Sequence, residues 1–124
     1  MMNKKILIFS ATYNESGNIK NFLQSIDSLN IKVDILLIDD NSPDGTKNII
    51  NKYKTNREDI ILIVREKKEG LDTAHKIAYE YSIKNNYDFL ISLDSDMSHD
   101  PKIIPKFISE LEKNDFITGS RYME

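Results

Sequence analysis

Four consecutive apolar residues run directly into two carboxylates in the stretch Ile35-Leu36-Leu37-Ile38-Asp39-Asp40. A short, continuous apolar run is typical of a strand buried on both faces, as in a parallel sheet. Similar runs occur at Ile6 to Phe9, Ile60 to Val64, Phe89 to Leu93 and, more weakly, Phe116 to Thr118. The pattern therefore predicts a set of buried strands, one of which ends in two adjacent negative charges.

Segments with helical spacing of their apolar residues separate these runs. The stripes are Ile19, Phe22, Leu23, Ile26 and Leu29; Ile49, Ile50 and Tyr53, which is weaker; Leu71, Ala74, Ala78 and Tyr81; and Ile103, Ile104, Phe107, Ile108 and Leu111. Ser42-Pro43 and Asp100-Pro101 each place a capping side chain before a proline, which predicts a helix start at both points. The order β-α-β-α-β-α-β-α-β predicts an α/β fold whose mostly parallel sheet has helices on both faces.

Composition excludes several classes of protein. The 124 residues are 40% hydrophobic and 30% charged, which is typical of one soluble globular domain. A net charge of −3 without a basic block argues against a nucleic-acid partner, and the absence of cysteine excludes disulfides and thiolate chemistry. The apolar runs are too short to span a membrane, and the N-terminus leaves no room for a signal peptide. We expect a cytoplasmic protein, with peripheral attachment to the membrane as the open alternative.

Polar residues concentrate just after three of the predicted strands. In open parallel sheets, ligands bind outside the carboxyl ends of the strands, near the point where strand order reverses. The three segments are Ala11-Thr12-Tyr13-Asn14-Glu15, Asp39-Asp40-Asn41-Ser42-Pro43-Asp44-Gly45 and Asp94-Ser95-Asp96-Met97-Ser98-His99-Asp100. An aromatic such as Tyr13 can cover a flat base, and Glu15 and Asp40 can accept hydrogen bonds from a base or ribose.

Asp94 and Asp96 flank one residue at the end of a strand. Carboxylates at this spacing suit Mg²⁺ or Mn²⁺, which proteins commonly hold with one or two carboxylates plus substrate phosphates. A bare D-x-D is more often a turn or helix cap, but this one follows a buried strand and joins a second acidic strand end. Asp39 and Asp40 support the same interpretation, because adjacent carboxylates repel unless a cation or hydrogen-bond donor is nearby.

The remaining polar and aromatic residues have simpler interpretations. The run from Arg65 to Gly70 is expected to be a solvated turn, with a diphosphate contact as the lesser alternative. His75 and His99 lack the spacing of zinc ligands and are expected to be surface or packing residues. We expect three tyrosines to be buried or half-buried: Tyr79, Tyr81 and Tyr87.

Six short motifs, in order, resemble the dolichyl-phosphate mannosyltransferase branch of the family 2 glycosyltransferases. They are Ala11-Thr12-Tyr13-Asn14-Glu15, Ile38 to Thr46, Arg65-Glu66-Lys67-Lys68, Gly70-Leu71, Asp94 to Pro101 and Gly119-Ser120-Arg121-Tyr122. Each motif is weak alone, but six in order with matching spacing are specific. The resemblance runs from about Lys5 to Tyr122, nearly the whole chain.

The resemblance implies a GT-A fold and an enzyme that transfers a sugar from GDP-mannose or a UDP-sugar to a polyprenyl (dolichyl) phosphate, with inversion at the anomeric carbon. Mannose is the leading choice of sugar. By position, the donor would contact Ala11, Tyr13, Glu15, Ile38, Asp40, Asp94, Ser95, Asp96 and Arg121. The implied catalytic residues are Asp94, Asp96 and Arg121, and the implied ligands of Mg²⁺ or Mn²⁺ are Asp94, Asp96 and Ser98. The implied acceptor lies at the membrane surface.

The sequence departs from the family pattern in two ways. Ala11, Asp72 and His75 stand where proline, glycine and tyrosine are usual, and Asp72 adds a negative charge near a site for an anionic donor. The chain also stops at Glu124, directly after Gly-Ser-Arg-Tyr. We therefore expect residues 1–124 to be the nucleotide-sugar-binding part of an incomplete GT-A domain, with a second polypeptide as one source of the remaining half.

Two other functions fit parts of the sequence. A non-catalytic or partner-dependent nucleotide-sugar-binding remnant would carry the same motifs, so the sequence does not separate it from an enzyme. A phosphoryl receiver domain shares the stretch from Ile35 to Asp40. A receiver has its acidic pair after its first strand, however, whereas here the run Ile6 to Phe9 comes earlier, so this alternative is remote.

Overall fold

A computed structural model describes residues 5–66, 71–95 and 103–113, in which strands and helices alternate. The strands are β1 (Ile6–Thr12), β2 (Asp34–Asp39), β3 (Ile60–Val64) and β4 (Phe89–Ser92). The helices are α1 (Ile19–Asp27), α2 (Thr46–Tyr53), α3 (Leu71–Lys84) and α4 (Ile104–Lys113). The predicted alternation is confirmed over these ranges. The weak fifth strand at Phe116 to Thr118 lies outside the described residues.

The strands form one sheet in the order β3-β2-β1-β4, and every pair in it is parallel. In the register of the sheet, Phe9 on β1 lies opposite Leu36 on β2 and Ser92 on β4. The chain moves outward from β1 through β2 to β3 and then returns to place β4 on the other side of β1. The strand order thus reverses at β1, and the carboxyl end of β1 is where a ligand is expected.

Side chains that alternate along β1 feed two separate hydrophobic clusters, one on each face of the sheet. Ile6 and Ile8 point toward α1, α2 and α4, where they share a cluster with fully buried residues such as Phe22. Leu7 and Phe9 point to the opposite face and pack with Ala74 and Ala78 of α3. Because both faces are covered, the prediction of helices on both sides of the sheet is confirmed.

Asparagines in the left-handed region end helices and turn the chain after two strands. Asn30, Asn56 and Asn86, with φ of 59°, 63° and 61°, follow α1, α2 and α3. Asn14 and Asn41, both with φ of 57°, follow β1 and β2. Asparagine tolerates this conformation better than most residues because its short polar side chain can bond locally.

Helix α2 begins later than the sequence predicts. The Ser42-Pro43 start is wrong, because the helix begins at Thr46 behind Gly45, whose φ of 87° suits a residue without Cβ. Ser42 instead donates its N–H and hydroxyl to Asp39 at the end of β2. Asp44 Oδ1 accepts the Thr46 N–H at 3.1 Å. The corresponding prediction at Asp100-Pro101 lies outside the described residues.

The loop between β2 and α2 holds the loop between β1 and α1 through three backbone N–H groups. The Asn14 N–H donates to Ser42 Oγ at 2.9 Å, and the Glu15 N–H donates to Thr46 Oγ1 at 3.0 Å. The Ser16 N–H donates to Asp44 Oδ2 at 3.0 Å. These bonds fix the backbone beneath the residues that follow β1.

Of the tyrosines expected to be buried or half-buried, two conform. Tyr81 and Tyr87 are half-buried and stack with ring centroids 6.2 Å apart. The prediction for Tyr79 is wrong, since it is 61% exposed on α3.

Among the helices described, none is long and apolar enough to cross a membrane.

Truncation of Phe22 tests the larger core. Phe22→Ala is expected to lower the free energy of unfolding by about 3–5 kcal/mol, because the side chain is fully buried against the sheet. Tyr79→Ala removes a comparable ring from an exposed position and is expected to change it by less than about 0.5 kcal/mol. Urea unfolding followed by circular dichroism measures both. Equal losses in the two variants would contradict the assigned core.

Asp44 is expected to make stability depend on pH in acid. The Thr46 hydroxyl and the N–H groups of Ser16 and Thr46 bond its carboxylate, which lowers the pKa of Asp44 to about 2 from 3.8. The pKa is lowered in the folded state, so the stabilisation is complete above the unfolded pKa and is lost as the pH falls through about 2. The difference in unfolding free energy between wild type and Asp44→Asn should therefore be constant near neutral pH and shrink below about pH 4.

Thr46→Val is the matched variant, because it removes the donor that contributes most to this shift. In it, the pKa of Asp44 is lowered less, so the acid-dependent loss should be smaller and should be complete at a higher pH than in wild type. Urea titrations at a series of pH values measure both effects. A difference between wild type and Asp44→Asn that stays constant down to pH 2 would contradict the assignment.

Candidate functional site

The carboxyl ends of β2, β1 and β4 lie side by side, so the three polar segments meet at one edge of the sheet. Backbone bonds continue this contact past the strand ends: the Asp40 N–H donates to the Thr12 carbonyl at 3.2 Å and the Leu93 N–H to the Phe9 carbonyl at 3.0 Å. The expected convergence of the acidic strand ends at the reversal point is thus present. The ends of β2 and β4 flank the end of β1 from opposite sides.

The carboxylate of Asp39 accepts hydrogen bonds from the end of β1 and from the segment that follows β2 at this edge. It is fully buried, and its Oδ1 accepts hydrogen bonds from the Thr12 hydroxyl at 2.7 Å and the Ser42 hydroxyl at 2.6 Å. Its Oδ2 accepts the Ser42 N–H at 2.9 Å. A buried carboxylate is tolerated when donors surround it in this way. Asp39 therefore joins β1 to the loop after β2 and is screened from a ligand.

Asp40 is stabilised in a different way, by a cation. Its two carboxylate oxygens accept bonds from Nε and Nη2 of Arg65, the second at 2.8 Å, and both residues are 8% exposed. Arg65 Nη1 donates to Thr73 Oγ1 on α3 at 2.6 Å. The expectation of a solvated turn is therefore wrong for Arg65, although Glu66 beside it is exposed. The rest of that run, residues 67–70, lies outside the described part of the chain.

The residues after β1 face the same edge with different exposure. Tyr13 is 39% exposed, and Ala11 and Glu15 are half-buried. Ser95 is 1% exposed, and its Oγ lies 3.2 Å from Glu15 Oε2 and 3.4 Å from the Ala11 carbonyl oxygen. The segments after β1 and β4 are therefore in direct contact.

Ile38 occupies a different environment from the other predicted donor contacts. Its side chain is fully buried in the cluster with Leu7, Phe9 and Leu36. A ligand could be contacted only by its backbone. The prediction that Ile38 contacts the donor is otherwise untested.

The predicted metal site is described only in part. Asp94 lies two residues after the end of β4 and is exposed, beside the buried Ser95. Carboxylate oxygens are ligands that divalent cations prefer, and the metal site at Asp94 stays a prediction. Asp96, Ser98 and Arg121 lie outside the described residues. Within residues 5–66, 71–95 and 103–113, no three acidic or histidine side chains converge as a metal cluster. Two carboxylates plus a diphosphate would not require such a cluster.

His75 is a packing residue, as predicted. Its ring meets that of Phe9 edge to face, with centroids 5.1 Å apart, and anchors α3 over the end of β1. The corresponding prediction for His99 falls outside the described residues.

Sequence reasoning missed Arg65 and Thr73. One signal for Arg65 was present: two adjacent acids at a buried strand end require a cation or hydrogen-bond donors. Arg65 is also the first residue after β3, the neighbour of β2 in the sheet. No feature of the sequence distinguishes Thr73 from other polar residues on α3.

Comparison with known proteins identifies the family of this arrangement. The pattern of glycosyl transferase family 2 matches residues 7–124. An undecaprenyl-phosphate mannosyltransferase from Micrococcus luteus is 28% identical over 117 residues, which cover 94% of this chain and 48% of that protein. A polyprenol monophosphomannose synthase from Mycolicibacterium smegmatis is 28% identical over 122 residues, 97% of this chain and 46% of that protein. The chain thus spans about half the length of these relatives.

Solved structures share the fold. A mannosyltransferase from Pyrobaculum calidifontis in complex with GDP-Man and Mn²⁺ superposes with a TM-score of 0.69 at 19% identity, over 77% of this chain and 28% of that one. S. aureus TarS residues 1–349 in complex with UDP-GlcNAc gives 0.65 at 23% identity, over 74% and 26%. These likenesses concern the fold alone and confirm the expected GT-A architecture. By the match over residues 7–124, the chain belongs to glycosyl transferase family 2.

Proposed function

We propose that residues 1–124 are the nucleotide-sugar-binding part of an inverting, metal-dependent glycosyltransferase. The donor would be GDP-mannose or a related nucleotide sugar, and the acceptor a polyprenyl phosphate. The observation that carries the proposal is the meeting of three polar strand ends at the point where strand order reverses. Membership of glycosyl transferase family 2 supports the reaction class.

The nucleoside would lie over the ends of β1 and β2. Tyr13 offers a partly exposed ring for the base, and Glu15 and Asp40 offer carboxylates for base or ribose hydroxyls. The backbone of Ala11 and Ile38 would line the same position. Support comes from the hydrogen bonds that hold the loop after β1, since a fixed loop reduces the entropy lost on binding.

The diphosphate would lie toward the end of β4. Asp94 and Asp96, with Ser98 as a further ligand, would hold Mg²⁺ or Mn²⁺, and a bound cation there would offset negative charge on the leaving diphosphate. Ser95 would keep the segment after β4 in register with Glu15. Arg121 would add a fixed positive charge on the sugar or diphosphate side.

Transfer would occur in one displacement. An acceptor phosphate oxygen forms a bond to the anomeric carbon from the face opposite the nucleotide, and the bond from that carbon to the diphosphate breaks. The nucleoside diphosphate leaves with the electron pair, so the configuration inverts. A phosphate is already anionic near neutral pH, so this acceptor needs no strong general base, whereas a sugar hydroxyl generally would.

The names of the relatives support the proposed donor and acceptor. The Micrococcus luteus protein is named an undecaprenyl-phosphate mannosyltransferase and the Mycolicibacterium smegmatis protein a polyprenol monophosphomannose synthase, and the Pyrobaculum calidifontis structure holds GDP-Man and Mn²⁺. An acceptor of this kind would place the protein at a membrane surface, peripherally bound on the cytoplasmic face. The acceptor side would come from chain beyond these residues or from a second polypeptide.

Calorimetric titration tests donor and metal binding. We expect GDP-mannose or UDP-glucose to bind wild type only when Mg²⁺ or Mn²⁺ is present. Asp96→Ala should weaken that binding by at least about tenfold, because one of the carboxylates holding the cation is lost. Glu80→Ala, which removes an exposed acid from the outer face of α3, is the control and should bind as wild type does. Unchanged metal-dependent binding in Asp96→Ala would refute the metal assignment.

A transfer assay tests whether these residues suffice for catalysis. With labelled GDP-mannose and a short polyprenyl phosphate, residues 1–124 alone should give little or no product, since acceptor-side groups are expected to be missing. Donor binding without transfer would agree with a binding part or a non-catalytic remnant. Robust turnover by this chain alone would contradict the expectation that another segment is needed.

A further inference from the structure

Arg65 connects three elements at the edge where the nucleoside is proposed to bind. Its backbone N–H donates to the Asp39 carbonyl at 2.8 Å, which extends the pairing of β3 with β2. Its guanidinium engages both carboxylate oxygens of Asp40 and the Thr73 hydroxyl on α3. The side chains of Arg65 and Asp40 are 7% and 9% exposed, so the pair is almost completely removed from water.

The geometry of this contact is specific to arginine. Two parallel N–H···O bonds match the planar guanidinium to the planar carboxylate, while the third nitrogen reaches Thr73. A lysine would keep the charge but could supply neither the two-pronged contact nor the fixed direction toward α3. Loss of one partner from a desolvated pair leaves the other charge in an unfavourable environment. Asp40 therefore depends on Arg65 for its orientation.

Arg65 holds Asp40 through both carboxylate oxygens, so the plane and the direction of the carboxylate are fixed. The same guanidinium, through Thr73, also fixes the start of α3 against the end of β2.

We propose that Arg65 is a positioning residue for nucleoside recognition, acting through Asp40, and that Thr73 orients the Arg65 guanidinium. This inference rests on the proposed function, because it assumes that a nucleoside lies against Asp40. It assigns to Arg65 no contact with substrate. Arg65 would thus act on nucleoside affinity and not on the diphosphate.

A second arginine, held between two carboxylates at the amino-terminal end of β3, provides the matched control. Arg57 pairs with Asp27 at 2.8 Å and with Asp59 at 2.7 Å, near the beginning of β3. Its side chain is 29% exposed, so this pair is in contact with water. Arg57→Lys makes the same chemical change as Arg65→Lys while leaving the proposed nucleoside position untouched.

The experiment measures dissociation constants for GDP and UDP in Mg²⁺, with competition by pyrophosphate. Arg65→Lys should weaken binding of whichever nucleotide wild type prefers by about tenfold or more, as expected for lost bonds to a charged group. The affinity of Arg65→Lys for pyrophosphate, measured by competition, should match that of wild type. Arg57→Lys should change neither the nucleotide affinity nor the pyrophosphate affinity. In an Asp40→Asn background, Arg65→Lys should have less than about a twofold further effect, because the group through which it acts is already altered.

Thr73→Val is a milder variant that keeps the test valid if Arg65→Lys fails to fold. It removes the hydroxyl that accepts from Arg65 and keeps the ion pair between Arg65 and Asp40. It should weaken nucleotide binding by a smaller factor than Arg65→Lys while urea unfolding shows a folded protein. Binding by Arg65→Lys that equals wild type, or equal weakening of nucleotide and pyrophosphate, would overturn the role of Arg65 and leave the proposed function standing. If wild type binds neither GDP, UDP nor GDP-mannose, both proposals fall.

Discussion

Burial of the central strands on both faces is the constraint on which the rest of the structure depends. Ile8 and Phe9 of β1 and Leu36 and Leu37 of β2 have no exposed surface, so a charged side chain at any of these positions would be cut off from water. Charged groups can appear only where the strands end. The reversal of strand order at β1 then brings the ends of β2 and β4 to either side of the end of β1.

Adjacent carboxylates at such an edge need compensation, and the protein uses two different kinds. Asp39 is surrounded by hydroxyl and N–H donors and ties two loops together, whereas Asp40 is held by a guanidinium from the next strand. Asp39 is enclosed by its donors and has a structural role. Asp40, which we propose contacts the nucleoside, is held at the edge of the sheet by Arg65.

Much of the fold was predictable from local pattern. Continuous apolar runs identified β1 to β4, and helical stripes identified α1, α3 and α4, because each element must bury a recognisable face. Local rules failed at two points. Ser42 has the chemistry of a helix cap, yet the buried Asp39 recruits its hydroxyl and N–H, so α2 begins behind Gly45. Tyr79 has an aromatic ring that the helix turns away from the sheet.

The sequence by itself determined the alternating α/β order, the edge at which ligands are expected and the acidic residues gathered there. Those features follow from periodicity and from the rule that parallel strands end together. Only the tertiary structure decided how the acids are neutralised. Asp40 is held by Arg65, 25 residues further along the chain, and Arg65 in turn donates to Thr73 on α3. Sequence spacing carries no information about which distant donor reaches a buried carboxylate. That choice depends on the register of β3 against β2 and on the placement of α3, which packing of the whole domain sets.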